Sequence, residues 1–81
     1  MKVTVLLFGH YSDYFQGQPI ELDLPAGAIV DDVVRALAKR DPRLADLKRF
    51  CRFAVNEDYA APETALSDGC TVAVLPPMSG G

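Results

Sequence analysis

The terminal carboxylate of Gly81 is the group of this chain best placed to do chemistry. The last ten residues, VAVLPPMSGG, run from an apolar stretch through two prolines into small residues. Proline fixes φ and has no N–H, so Pro76 and Pro77 should end sheet pairing and act as a stiff spacer for the chain end. Gly80 and Gly81 have no Cβ, which leaves the backbone thin there. We therefore expect a mobile end that inserts its carboxylate into a narrow cleft of another protein, with an ordinary frayed terminus as the alternative.

The remaining polar and sulfur-containing residues do not have the spacing of an active site. His10 is the single histidine, and a lone histidine in a loop is rarely a general base. Asp31 and Asp32 are consecutive in a predicted helix, so their carboxylates should point apart. Cys51 and Cys70 have neither a metal-ligand nor a redox spacing. We expect both to be free thiols, with a reactive thiol at Cys70 as the alternative. The chain by itself is not predicted to be a catalyst.

Five segments occur one after another in a recognisable order: VTVLLF, LPAGAIVDDVVRAL, AVNEDYA, TALSDG and PPMSGG. Together they resemble the small subunit of molybdopterin synthase, a family of ubiquitin-like sulfur carriers. Only the PPMSGG end is specific by itself, whereas the order and spacing of the others carry the resemblance over nearly the whole chain. It implies a β-grasp fold whose first and last strands lie side by side at the centre. The loop HYSDY at residues 10–14 departs from the family, which has an arginine and a glutamate there.

The resemblance also implies a chemistry for the chain end. An adenylating enzyme of the ubiquitin-activating type would use ATP to convert the Gly81 carboxylate into an acyl-adenylate. Sulfur supplied through a sulfurtransferase would displace AMP and leave a thiocarboxylate, which is a soft nucleophile. Ser79 and Gly80 would thread the large subunit of molybdopterin synthase, where sulfur reaches cyclic pyranopterin monophosphate to form the dithiolene that holds molybdenum. A heterotetramer is then expected, and no cofactor bound to this chain.

Other functions fit the same chain end. The thiamine-pathway sulfur carrier also ends in Gly-Gly, although Pro76 and Pro77 favour the molybdopterin side. A ubiquitin-like modifier, joined through Gly81 to protein lysines, would begin with the same adenylate. A plain interaction domain with an inert tail is the fourth hypothesis.

Composition sets the broad class. The chain has 81 residues, 49% of them hydrophobic and 23% charged, which is typical of one globular domain. Its formal net charge of −3 argues against nucleic-acid binding, which usually requires a basic face. No apolar run approaches the roughly 20 residues that span a membrane, and no small-residue cleavage site comes after the opening apolar run. We expect a cytoplasmic protein with a domain over residues 1–76 and a flexible tail over residues 77–81.

The elements that must position the tail can be predicted from periodicity. Alternation predicts a strand over residues 2–8 and a second one around residues 20–24. The long helix should begin near Val30, and its apolar stripe is Val30, Val33, Val34, Leu37 and Ala38. No capping hydroxyl precedes this helix, because Ile29 stands at the N-cap, and Asp41-Pro42 should end it. A second, shorter helix is indicated by Leu44, Leu47 and Phe50.

Two short strands, residues 52–56 and 58–60, should form a hairpin, and a Ser67-Asp68-Gly69 turn should lead into the last strand. The whole pattern predicts an α+β roll: a mixed sheet of four to five strands packed on one main helix. This agrees with the β-grasp (ubiquitin-like) fold that the resemblance implies.

Strand parity also predicts a docking surface. Val3, Val5 and Leu7 should face the core on the first strand, and Val72 and Val74 on the last. Phe8 and Leu75 then fall on the opposite, helix-free face, and the family places Tyr59 in the same apolar patch. We predict that the partner-binding residues are Phe8, Tyr59, Leu75, Pro76 and Met78. The alternative is that the aromatic residues of the next loop cover Phe8.

Overall fold

A computed structural model describes residues 1–77, apart from the side chain of His10. Within that range the strands are β1 (Lys2–Leu7), β2 (Ile20–Asp23), β3 (Arg52–Val55), β4 (Asp58–Ala60) and β5 (Thr71–Leu75). The α-helices are α1 (Val30–Arg40) and α2 (Leu47–Phe50), and two 3-10 helices span Gly9–Phe15 and Pro42–Leu44. Every predicted strand and the long helix are present, and the loop after β1 forms a 3-10 helix that the sequence did not predict. Across residues 1–77, none of the helices combines the length and the apolar composition that a membrane crossing requires.

The five strands form one mixed sheet in the order β2-β1-β5-β3-β4. The central pair, β1 and β5, is parallel, with Leu6 opposite Ala73 and Leu7 opposite Val74. The other neighbours are antiparallel. The first and last strands thus lie side by side in the middle of the sheet, as the β-grasp prediction requires. The predicted fold class is confirmed.

The core lies between the sheet and α1. Its members are apolar side chains from one face of the sheet and from the stripe of α1: Val3, Val5, Ile20, Leu22, Val30, Val33, Val34, Leu37, Phe53, Val72 and Val74. The alternation predicted for β1 and β5 is therefore confirmed. Leu7 and Ala38, both predicted for the core side, are only half-buried. Leu7 is the last residue of β1, and Ala38 lies in the last turn of α1.

Helix α1 begins without a capping hydroxyl, as the sequence predicted, and tertiary contacts take over that role. The carboxylate of Asp32 accepts a hydrogen bond from the N–H of Ile29 at 2.8 Å. The N–H groups of Val30 and Asp31 donate to the carbonyl oxygens of Thr64 and Pro62 at 3.0 and 2.9 Å. Because the first N–H groups of a helix have no partner within it, these bonds satisfy donors that would otherwise be left unpaired.

The region after α1 forms two short helices where the sequence predicted one. Leu44 and Leu47 are buried, as expected, but they belong to different elements, the 3-10 helix and α2. Phe50 does not join them in the core: 52% of its surface is exposed. The guanidinium carbon of Arg49 lies 5.5 Å from the centre of its ring. Phe50 instead lines a groove on the surface.

Candidate functional site

The face of the sheet opposite α1 carries a group of apolar side chains on its central strands and on β4. Along it Ala54 lies directly opposite both Tyr59 and Ala73, and Ala73 lies opposite Leu6. Side chains alternate along each strand, so the burial of Val72 and Val74 on the core side fixes the residues of the other side. We call this side the outer face. Its apolar residues are Leu6, Phe8, Ala54, Tyr59, Ala73 and Leu75, and polar residues such as Thr4, Thr71 and Arg52 lie beside them.

Phe8 and Tyr59 are the most exposed residues of the outer face. The exposed fraction is 44% for Phe8 and 75% for Tyr59. Tyr11, Tyr14 and Phe15 of the next loop pack against the hydrophobic core, and they leave Phe8 exposed. The exposure of Phe8 favours the docking prediction over the alternative that its own loop covers it. Large exposed apolar side chains that lie together commonly mark an interface.

The outer face continues into a groove at the end of β5. Its lining residues come from four parts of the chain: Phe8, Gly9, Arg49, Phe50, Cys51, Arg52, Tyr59, Leu75, Pro76 and Pro77. The groove is open and measures about 920 Å³. Its apolar surface is bordered by the guanidinium groups of Arg49 and Arg52, and the latter lies 6.0 Å from the centre of the Tyr59 ring. The segment that leads to the chain end thus emerges inside a groove that is apolar and positively charged.

The last strand ends before the two prolines, as predicted. Strand β5 ends at Leu75, and Pro76 and Pro77 come next without regular structure. Pro76 is half-buried in the groove, and Pro77 is exposed. Predictions for Met78, Ser79, Gly80 and Gly81 concern residues outside the described range, and they remain predictions.

The two thiols are placed differently. Cys70 is part of the core, with 2% of its surface exposed, so a reactive thiol there has almost no access to solvent. Cys51 is half-buried. Burial raises the pKa of the Cys51 thiol, while a hydrogen bond with the Tyr11 hydroxyl acts in the opposite direction. Among the side chains that the structure describes, which exclude that of His10, no three cysteine or acidic groups come together as a metal site.

Sequence reasoning missed the basic and aromatic part of the groove. Arg49, Phe50 and Arg52 adjoin Phe8 and Leu75 only because α2 and β3 pack beside the central strands. Their sequence carried one usable signal, a short basic and aromatic run, KRFCRF, at residues 48–53.

Asp31 also makes contacts that the sequence analysis did not predict. Its carboxylate forms ion pairs with Arg35 and Lys48, both at 3.1 Å. Lys48 belongs to α2, so the second pair joins α1 to the helix that borders the groove.

Known proteins resemble this chain over nearly its whole length. Residues 5–81 match the ThiS family. The chain belongs to the ThiS family. It is 35% identical over 82 residues to the molybdopterin synthase sulfur carrier subunit of Mycobacterium tuberculosis, covering 100% of this chain and 99% of that protein. It is 32% identical over 83 residues to the subunit of that name from Chlamydomonas reinhardtii, covering 100% of both. The family predicted from the sequence is confirmed.

Solved structures of similar proteins agree with this family assignment. A putative molybdopterin converting factor, subunit 1, from Pyrococcus furiosus superposes with a TM-score of 0.82 at 29% identity, covering 95% of this chain and 98% of that one. A chain from the complex of subunits 1 and 2 of molybdopterin-converting factor from Helicobacter pylori also matches, with a TM-score of 0.66 and 26% identity. The match covers 100% of this chain and 100% of that chain. SAMP1 from Haloferax volcanii, at 24% identity, TM-score 0.82 and 100% coverage of both chains, shows the shared fold alone.

Proposed function

We propose that this chain is the sulfur carrier subunit of a molybdopterin synthase. The observation that carries the proposal is the full-length similarity to proteins of that name, at 35% and 32% identity. The site supports it independently, since an exposed apolar face adjoins the root of a tail that ends in Gly-Gly. A carrier needs both features, because it must bind its partner and deliver its end to a reaction centre inside that partner.

The chemistry proposed for the chain end begins with activation. A carboxylate is a poor electrophile, because its charge repels nucleophiles and oxide is a poor leaving group. The carboxylate of Gly81 therefore attacks the α-phosphate of ATP on an adenylating partner, releasing pyrophosphate. A thiol releases the outer sulfur of the sulfurtransferase persulfide as hydrosulfide and forms a disulfide, and the hydrosulfide displaces AMP to leave a thiocarboxylate. In the large subunit that sulfur takes the place of a carbon-bound oxygen of cyclic pyranopterin monophosphate, and hydrolysis of the resulting thioester returns Gly81 to a carboxylate. Two such transfers make the dithiolene.

The partner proposed for the outer face is the large subunit of the synthase. The Helicobacter pylori complex supports this, because a chain of the same fold is there joined to its second subunit. Burying a side chain such as Phe8 or Leu75 against a partner stabilises the complex by at most about 1.5–3 kcal/mol. Pro76, half-buried in the groove, and Met78 would extend the contact toward the tail. A heterotetramer in the cytoplasm, where ATP is available, is the assembly we propose.

The mass of the chain purified from its native host tests this function. A thiocarboxylate adds about 16 Da over the mass of the unmodified chain, because sulfur replaces oxygen. Thiocarboxylated protein, mixed with the large subunit and cyclic pyranopterin monophosphate, should form the dithiolene product. A cleavable tag after Gly81 provides the control: it should abolish both the mass increase and the transfer, and its removal should restore them.

Three outcomes would contradict the proposal. A thiocarboxylate that yields no dithiolene with the large subunit, yet supports thiazole formation, would assign the chain to the thiamine pathway. Chains joined through Gly81 to lysines of other proteins, without a thiocarboxylate, would make it a modifier. An uncleaved tagged protein that still forms the dithiolene would show that the Gly81 carboxylate is not the reacting group.

A further inference from the structure

We infer that Gly9 is a positioning residue for sulfur transfer: it forms the seat on which the Pro76 ring rests, and so sets the direction in which the tail leaves the sheet. The inference rests on the proposed function, because the direction of the tail matters only if its end must reach a reaction centre. It assigns a role to a residue that lies far from Pro76 in sequence.

The contact between Gly9 and Pro76 leaves no space for a side chain. A Cβ placed on Gly9 would lie 2.5 Å from Cγ of Pro76, and 3.4 and 3.5 Å from its Cβ and Cδ. Carbon atoms that are not bonded approach to about 3.5–4.0 Å. The pyrrolidine ring therefore packs directly on the glycine backbone. The backbone of Gly9 also has φ +65°, a conformation that other residues rarely adopt.

Both sides of this contact are held in place. The N–H of Phe8 donates a hydrogen bond to the carbonyl oxygen of Val74 at 3.2 Å, which ties the end of β1 to the end of β5. The hydroxyl of Ser12 donates to the carbonyl oxygen of Gly9 at 2.8 Å. On the other side, the ring of Pro76 fixes its own φ. The contact thus joins two constrained segments of backbone at the point where the sheet gives way to the tail.

The length of the tail makes its starting direction important. Five residues come after Pro76, and fully extended they would span about 17 Å. A rotation of about 20° at Pro76 would therefore move the far end of an extended tail by about 6 Å. A misplacement of about 1 Å at a reacting atom is enough to slow a reaction by a factor of about 100. A fixed position for the Pro76 ring would thus help to place Gly81 correctly in the partner.

Gly17 provides a matched control. Its φ is +73°, close to that of Gly9, but a Cβ placed on it would meet nothing within 4 Å. An alanine at residue 17 therefore imposes the backbone strain of a positive φ without any collision. An alanine at residue 9 imposes that strain together with the collision with Pro76. The difference in transfer rate between the two variants therefore reports the effect of the contact between residue 9 and Pro76.

The experiment compares Gly9→Ala, Gly17→Ala, Pro76→Ala and the double variant Gly9→Ala/Pro76→Ala. Each is prepared as the thiocarboxylate, and single-turnover sulfur transfer is measured with saturating large subunit and cyclic pyranopterin monophosphate. Affinity for the large subunit is measured by calorimetry and folding by thermal melting. We expect Gly9→Ala to transfer sulfur at least about tenfold more slowly than Gly17→Ala, with an affinity within about threefold of it.

The double variant decides whether the effect passes through Pro76. Replacing Pro76 by alanine removes Cγ, the atom that a Cβ at residue 9 would strike. We therefore compare the double variant with Pro76→Ala alone. The factor by which Gly9→Ala slows transfer there should be no larger than the factor by which Gly17→Ala slows it in the wild-type chain, since the effects of substitutions at residues in contact are not additive. If Gly9→Ala proves unfolded, the double variant should fold, because the collision has been removed.

Three results would overturn the inference. The first is equal transfer rates for Gly9→Ala and Gly17→Ala. The second is an undiminished effect of Gly9→Ala in the Pro76→Ala background, and the third is a double variant that remains unfolded. Failure of the proposed function is recognised separately, because the wild-type thiocarboxylate would then transfer no sulfur at all.

Discussion

The backbone N–H of Phe8 donates a hydrogen bond to the carbonyl oxygen of Val74 at 3.2 Å. This bond joins a residue exposed on the outer face to the strand from which the tail emerges. The side chain of Phe8 points away from the core, whereas that of Val74 is fully buried in it. A partner that binds Phe8 therefore receives the tail at a position that the sheet has already fixed.

Alanine variants of two phenylalanines on opposite faces of the sheet distinguish an effect on partner binding from an effect on folding stability. Phe8→Ala should weaken binding to the large subunit while lowering the melting temperature little, because 44% of the side chain is already exposed. Phe53→Ala is the matched control, since Phe53 is 3% exposed and such core truncations cost about 3–5 kcal/mol of folding free energy. Calorimetry and thermal melting measure the two effects. Unchanged affinity for Phe8→Ala, together with a large loss of stability, would place Phe8 in the core and the docking face elsewhere.

The glycine before the chain end tests whether the tail threads a narrow channel. Gly80→Val should fold normally and fail in sulfur transfer, because a β-branched side chain is bulky and stiff. Gly80→Ala should lie between the wild type and Gly80→Val. Transfer is measured in the reconstituted synthase, and melting temperatures serve as the folding control. Turnover by Gly80→Val equal to that of the wild type would reject the channel.

The two cysteines should be dispensable for carrying sulfur. Cys51→Ala/Cys70→Ala should still acquire the mass increase of a thiocarboxylate, because the sulfur is carried on Gly81 in the proposed chemistry. In the wild type, alkylation of Cys51 should accelerate only at a higher pH than for an ordinary thiol, since burial raises its pKa. Mass spectrometry measures both. Sulfur found as a persulfide on Cys51, and lost in the double variant, would contradict the prediction.

The loop after α1 should give a pH-dependent contribution to stability. Arg43 donates hydrogen bonds to Asp41 through Nε, at 3.0 Å, and Nη2, at 2.6 Å. The side-chain hydrogen bond from Arg43 lowers the pKa of the Asp41 carboxyl. A carboxyl whose pKa is lowered by folding contributes stability that is fully present above its unfolded pKa of about 3.9. That contribution is lost as the pH falls through the lower folded pKa.

Thermal melting over a pH series checks this contribution. Asp41→Asn should lower the melting temperature most near neutral pH, and the difference from the wild type should shrink below about pH 4. Arg43→Ala should show a smaller pH-dependent part, because the backbone N–H of residue 43 still donates to the Asp41 carboxylate. It should also show a pH-independent loss, because the guanidinium carbon of Arg43 lies 4.3 Å from the centre of the Tyr14 ring. A difference between Asp41→Asn and the wild type that does not change with pH would show that the pair does not couple to folding.

The amino-acid sequence determined the elements and the two faces of the sheet. Side chains alternate along a strand, so Val3 and Val5 were enough to place Phe8 on the outer face, and Val72 and Val74 to place Leu75. The apolar stripe of α1 and the Asp41-Pro42 stop were equally local, since each depends on neighbours within a few residues. The two faces of the sheet could therefore be predicted from the chain alone, and the family from the resemblance of its motifs to known members.

Only the tertiary structure decided which distant residues meet. The parallel pairing of β1 with β5 brings Gly9 against Pro76, and no periodicity in the chain encodes that register. The packing of α2 and β3 beside the central strands adds Arg49 and Arg52 to the groove. The cap of α1 likewise comes from the carbonyl oxygens of residues 62 and 64, because an N–H group left without a local acceptor pairs with whatever acceptor folding brings near it. Alternation is a property of a single strand, whereas these contacts exist only after strands and helices have packed together.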